Sequence, residues 1–170
     1  MISVSEVTKQ FDEVHALSEV NLDITAGEFV TIVGPSGCGK STLLRIIADI
    51  ISPSSGSVSK PDKGAFVFQD AALLPWRNVQ DNAELLMELE NINKVEREYR
   101  VGVALDQVGL SGFEKSYPHQ LSGGMKMRLS LARSLVLSPE YLLLDEPLSA
   151  VDELTRAVLQ EEIHELWKKE

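Results

Sequence analysis

The chain has a single cysteine, Cys38, in 170 residues. That excludes an internal disulfide framework and a metal cluster built on thiolates, and it fits a reducing compartment. There is no surplus of positive charge either: 26 Asp and Glu against 16 Lys and Arg leave a net charge of −10. With no global positive field to attract phosphates, non-specific nucleic-acid binding is argued against, and an anionic ligand must be held by local devices. Long hydrophobic runs are also missing. The stretches "LRIIADII" and "YLLL" fall short of the ~18 residues of a spanning helix. The opening "MISVSEVTKQF" lacks the basic-then-apolar form of a secretory signal. The expectation is a cytoplasmic chain that does not itself cross a membrane. What is present, 44% hydrophobic and 25% charged residues, is the composition of a globular protein with a core, about one domain long with room for a small inserted lobe.

Three β-branched runs open the chain: "ISVSEVTKQF", "VNLDI" and "FVTIVG". The third is continuously apolar and ends in glycine, which predicts a strand buried on both faces. Residues 40–51 predict a helix, with Leu43, Leu44, Ile46, Ile47 and Ile50 at three- and four-residue spacing. A turn-rich "SPSSGSVSKPDKG" separates it from a further strand, "AFVFQ". Residues 78–109 are polar, acidic and helical in pattern, with Leu85, Leu86, Leu89 and Ile92 on one side. "YLLLDEP" returns as a buried strand, and Leu154, Val158, Ile163, Leu166 and Trp167 line one side of a final helix. The expected architecture is α/β: a parallel-rich core from 1–74 and 136–170, antiparallel N-terminal strands, and a helical lobe over 75–135.

"GPSGCGKST", Gly34 to Thr42, fits the phosphate-binding pattern G-x-x-x-x-G-K-[ST] and lies between an expected strand and an expected helix. Gly34, Gly37 and Gly39 let the backbone wrap closely around phosphate oxygens, while Pro35, Ser36 and Cys38 fill the free positions. The helix start supplies N–H groups and the positive end of its dipole. Lys40 brings a full charge to the terminal phosphates, and the Ser41 hydroxyl is placed to ligate Mg²⁺. In "YLLLDEP", four apolar residues deliver two adjacent carboxylates to a strand end. Asp145 suits the Mg²⁺ shell, and Glu146 suits the polarisation of an attacking water.

A second Ser-Gly-Gly at a helix start, "LSGGM" (121–125), raises the question why one chain needs two anion traps. In isolation it also reads as an ordinary serine-capped helix. However, "GPSGCGKST", Gln69 in "FVFQD", "LSGGM", "LLLDEP" and "SAVD" follow one another here in the order seen in ATP-binding cassette (ABC) ATPases. The chain resembles that family over essentially its whole length. The resemblance implies a P-loop NTPase fold, ATP and Mg²⁺ as ligands, and an ATPase that works as a head-to-tail dimer. Ser122, Gly123 and Gly124 would then bind the γ-phosphate of ATP held by the P-loop of a second ATP-binding subunit. Two half-sites per chain would answer the question.

The same resemblance implies further roles. Phe11 stands where the family stacks an aromatic on adenine. Gln69 is similar to the residue that senses Mg²⁺ and the attacking water. Ser149 to Asp152 resemble the loop that crosses the dimer axis, with Asp152 near the nucleotide. Met125 replaces the commoner Gln. "LLPW" (73–76), "YPHQLSGGM" and "DELTRAVLQEEIHELW" are similar to the cassettes of nitrate, sulfonate and taurine importers. Leu74, Pro75 and Trp76 would thus lie near the surface that receives integral membrane permease subunits. A solute-binding protein would be an indirect partner, nucleic acid would not be one, and the location would be the cytoplasmic face of a bacterial membrane.

In the family a further strand carries a histidine that contacts the γ-phosphate; no match follows Glu170, and His15, His119 and His164 do not stand in for it. The expectation is a C-terminally truncated form with impaired turnover. Its rival is a nucleotide-binding interaction module with little hydrolysis. DNA-repair and translation ATPases of the family fit less well: the first carry a very long coiled coil between the two motifs, and the second carry two cassettes per chain.

Overall fold

The computed structural model describes residues 1–148 and 153–169. They form two compact units, Met1–Gly64 and the chain from Ala65 onward. In the first unit, β1 (Ile2–Phe11) pairs antiparallel with β2 (Val14–Ile24) on one side and β3 (Ser55–Ser59) on the other. The β1–β2 hairpin closes at Phe11 opposite Val14, with Asp12 in the left-handed region. Ile2, Val4 and Val7 of β1 are buried. The odd step from Val4 to Val7 keeps one face because the register shifts there and Glu6 takes φ 50, a bulge. Opposite it, Gly56 has φ 82, and a Cβ at that position would run into the Glu6 carbonyl. Helix α1 (Lys40–Ile47) buries Leu43, Ile46 and Ile47, one stripe at three- and four-residue spacing.

Two expectations fail in this unit. "FVTIVG" forms no strand: residues 29–34 are irregular, and Phe29, Val30 and Val33 are exposed. An apolar run becomes a doubly buried strand only where neighbours offer both edges, and the sheet here, ordered β2-β1-β3, has no described strand beside it. Conversely, the turn-rich serine segment contains β3. Its side chains are poor strand formers, but β1 supplies the ladder, with Val4 opposite Val58. His15 lies within β2, opposite Gln10.

In the second unit, β4 (Gly64–Val67) and β5 (Tyr141–Leu144) pair in a parallel sheet, and the Asp145 N–H donates to the Val67 carbonyl at 2.9 Å. Between them run α2 (Val79–Leu89), α3 (Lys94–Gln107), a 3-10 turn at Pro118–Gln120 and α4 (Gly123–Leu135); α5 (Glu153–Lys169) follows β5. Asn78 and Asn93 cap α2 and α3 by accepting from the N–H groups of Asp81 and Glu96. Val79, Ala83, Met87, Leu105, Leu110 and Leu129 form the heart of the core. The buried face of α2 therefore differs from the expected leucine side, and Leu89 is exposed. At its centre sits Asn82, fully buried. Its side chain accepts from Leu74 N–H at 2.8 Å and donates to the carbonyls of Leu74, Arg77 and Asn78 at 3.1, 2.9 and 3.0 Å. A polar residue holds a core position because every one of its hydrogen-bonding groups is engaged. In α5, Ile163 packs on the core as expected, whereas Trp167 is exposed and stacks on His164 one turn earlier.

Candidate anion-binding site

The P-loop, Gly34 to Thr42, lies in the first unit. Gly34, Pro35, Ser36, Gly37 and Cys38 are exposed, and Gly39 to Thr42 are half-buried as the chain enters α1. Gly37 and Gly39 have φ 80 and 97, conformations that an L side chain strains to adopt. Gly39 is constrained twice, because a Cβ there would lie 2.5 Å from the Ala16 carbonyl oxygen and 2.8 Å from Leu17. As the N-cap of α1 it brings no side-chain cap to the helix start, and a helix start is where backbone N–H groups and the positive end of the dipole favour an anion. The Lys40 ammonium donates to the carbonyls of Gly34 and Pro35 at 2.9 and 3.0 Å, which folds it back over the loop. Ser41 and Thr42 occupy the first turn of α1. Cys38 is a free, exposed thiol. Phe11, also in this unit, ends β1 with its ring exposed and the Lys9 ammonium 5.0 Å from the ring centroid.

The second unit brings three expected residues to one end of a sheet. Gln69 is exposed two positions beyond β4, and Asp145 and Glu146 follow β5 directly. The bond from Asp145 N–H to Val67 sets both strands to end at the same level, and carboxyl ends of parallel strands are where such sheets bind ligands. Asp145 is buried at 2% exposure, whereas Glu146 is exposed. Glu146 also holds φ 46, left-handed for a non-glycine residue. A strained carboxylate at a strand end is the kind of outlier that functional sites keep.

Ser122, Gly123 and Gly124 open α4. Ser122 is its N-cap, and its hydroxyl accepts from Met125 N–H at 3.2 Å while its carbonyl accepts from Lys126 N–H at 3.0 Å. The N–H groups of Gly123 and Gly124 precede any partner that the helix itself can supply. The lead-in is rigid: Gln120 accepts from Tyr117 N–H at 2.7 Å through its side chain, Tyr117 stacks on His119, and Leu121 is buried. Upstream, the Glu114 carboxylate accepts from Gly112 N–H at 2.8 Å. That backbone donor holds its pKa below the ordinary carboxylate value, with Lys115 helping. The expected Asp152, with Ser149 to Val151, lies outside the described residues. Among the described residues no helix is long and apolar enough to cross a membrane.

Sequence reasoning passed over Asn82, which pins the turn carrying Pro75 and Trp76; Trp76 itself is 71% exposed. The available signal was an asparagine inside a helical apolar stripe.

Residues 17–149 match the family model described as "ABC transporter". An uncharacterized ABC transporter ATP-binding protein of Methanocaldococcus jannaschii is 45% identical, over 99% of this chain and 68% of its own length. The taurine import ATP-binding protein TauB of Yersinia pestis is 42% identical, over 99% of this chain and 69% of its own. Among solved structures, a dimeric ATP-binding cassette in a post-hydrolysis state, bound to ADP and Pi, superposes with a TM-score of 0.85 at 34% identity, covering 99% of this chain and 84% of that one.

Proposed function

Because the chain belongs to the ABC transporter family, as an ATP-binding subunit and an ATPase, we propose that it drives solute import by closing with a second ATP-binding subunit head to tail around ATP. One observation carries this reading: a single chain holds two helix starts fit for phosphate, α1 behind the P-loop and α4 behind Ser122. One site suffices for a nucleotide, so the second serves a nucleotide held by another copy. The post-hydrolysis relative is itself dimeric with ADP and Pi.

In this reading Gly34, Pro35, Ser36, Gly37, Cys38 and Gly39 cradle the phosphates, and Phe11 stacks on adenine. Lys40 leaves its two carbonyls for the β- and γ-phosphates, where charge-assisted bonds are stronger. Ser122, Gly123 and Gly124 close on the partner's γ-phosphate. Glu146 orients the attacking water and takes its proton, and Gln69 lies against that water. In this reading Ser41, Gln69 and Asp145 would hold Mg²⁺ through a hydroxyl, an amide carbonyl and a buried carboxylate, the hard oxygen ligands this ion takes. When bound, the ion neutralises charge on the phosphates. Residues 1–74 with 136–170 serve as the nucleotide-binding core, and 75–135 as the lobe that faces the permease subunits at the cytoplasmic side of the membrane. The taurine-importing relative supports a small sulfonate-like solute; a nitrate-like solute and a solute-binding protein as indirect partner remain part of the same reading.

The test is light scattering with ATP on two variants. Glu146→Gln, which keeps shape but removes the base, should accumulate as an ATP-bound dimer. Adding Ser122→Arg should leave ATP binding to each chain intact and abolish the dimer. A dimer that persists with both changes refutes the two-half-site reading.

A further inference from the structure

Arg133, eleven positions beyond Ser122 near the far end of α4, makes contacts that nothing above requires. Its guanidinium donates through Nη1 to the Ala72 carbonyl at 2.9 Å and through Nη2 to the Ala71 carbonyl at 2.8 Å, with a longer approach to Ser130 Oγ at 3.4 Å. Consecutive carbonyls of extended chain point opposite ways, so one fork reaches both only if the backbone turns between them. It does: Ala72 has φ 45, and its N–H donates to the Asp70 carboxylate at 3.1 Å. The fork and the carboxylate thus close one turn from opposite sides, immediately after Gln69. On its other side Gln69 is tied to β4, where Val67 accepts from Asp145 N–H. The guanidinium is partly desolvated, which strengthens bonds to neutral carbonyls and disfavours letting them go. Only a planar fork serves two acceptors in this way; a lysine ammonium is a point donor.

Helix α4 buries Met127, Leu129, Leu131 and Ala132, so it moves as a rod. About 16 Å of helix separates Ser122 from Arg133. We infer that Arg133 is a positioning residue that fastens the backbone beside Gln69 to the helix carrying Ser122, so that Gln69 reaches the water at the chain's own nucleotide and Ser122 reaches the partner's nucleotide in one movement. This rests on the reading of Gln69 as a group at the attacking water.

The test uses Arg133→Lys, which keeps charge and bulk but loses the fork, and Asp70→Ala, which opens the same turn from an exposed residue and leaves α4 untouched. Amide exchange should quicken about tenfold at residues 71–73 in both variants and stay unchanged in α4. ATP turnover should fall about tenfold in kcat with KM for ATP within twofold. Combining either change with Gln69→Ala should cost no more than Gln69→Ala alone, the mark of a shared route. Unaltered exchange, an unaltered kcat, or losses that multiply with Gln69→Ala would overturn the role of Arg133. A Gln69→Ala variant with full turnover would instead overturn the reading of Gln69, and the role of Arg133 with it. Should Arg133→Lys fail to fold, the Asp70→Ala arms decide alone.

Discussion

The two helix starts proposed above to receive phosphate are built differently. At α1 the N-cap is Gly39, left-handed and without a side-chain cap, in a loop threaded against Ala16 and Leu17. At α4 the N-cap is Ser122, in ordinary extended geometry, and its hydroxyl already satisfies Met125 N–H. The first start depends on backbone that favours glycine and has no side-chain cap; the second is capped by its own serine. A site that holds its nucleotide from the outset can be open and incomplete. A site that meets a nucleotide brought by another subunit has to persist through the time it stands alone.

The largest effect should come from Gly39→Ala. The methyl would sit 2.5 Å from the Ala16 carbonyl in a backbone of φ 97, costing about 3 kcal/mol or more, and thermal unfolding should show this together with lost ATP binding. If the variant binds ATP normally, the comparison breaks at its first term. Next is Lys40→Ala, which removes the full positive charge held over the loop. ATP affinity by calorimetry should fall about a hundredfold, with little change in unfolding temperature because the side chain is not a packing element.

Ser122→Ala should act the other way round. It removes the α4 cap and lowers stability by about 1 kcal/mol, while ATP affinity of the chain's own P-loop stays within error. A matching loss of affinity would mean that the two starts are not separate sites.

The smallest effect concerns Glu114, in the loop between α3 and α4. Its folded pKa is depressed by the bond from Gly112 N–H. Its contribution is therefore fully present above the unfolded carboxylate value, about 4.3, and is lost as pH falls through the lower folded value. Protection of the Gly112 amide should decline over that acidic window, and Glu114→Gln should flatten the decline. An unchanged pH profile in the variant would mean that the Glu114 carboxylate does not hold the Gly112 amide.

The P-loop, the carboxylates after β5 and the Ser-Gly-Gly start were legible because each is a short segment whose geometry is decided within itself. Gly37 and Gly39 take positive φ, Ser122 caps three residues ahead, and four apolar residues lead into Asp145. The family signal rests on such segments occurring in order, and residues 17–149 match accordingly. Less legible were elements that need a partner. Ser55–Ser59 is a strand because β1 lies beside it, whereas the more strand-like residues 29–34 pair with no described strand and stay irregular.

By itself, then, the amino-acid order determined which residues can grip a phosphate, present a carboxylate or start a helix, since φ preference, capping and charge act over a few positions. Only the tertiary structure decided which distant groups share a hydrogen bond. Arg133 reaches Ala71 across 62 positions, and Asn82 takes a core place because a loop eight residues away turns its backbone toward it. Such bonds leave no periodic trace in the sequence. A donor finds its acceptor only after packing has driven both out of water and left each no other partner.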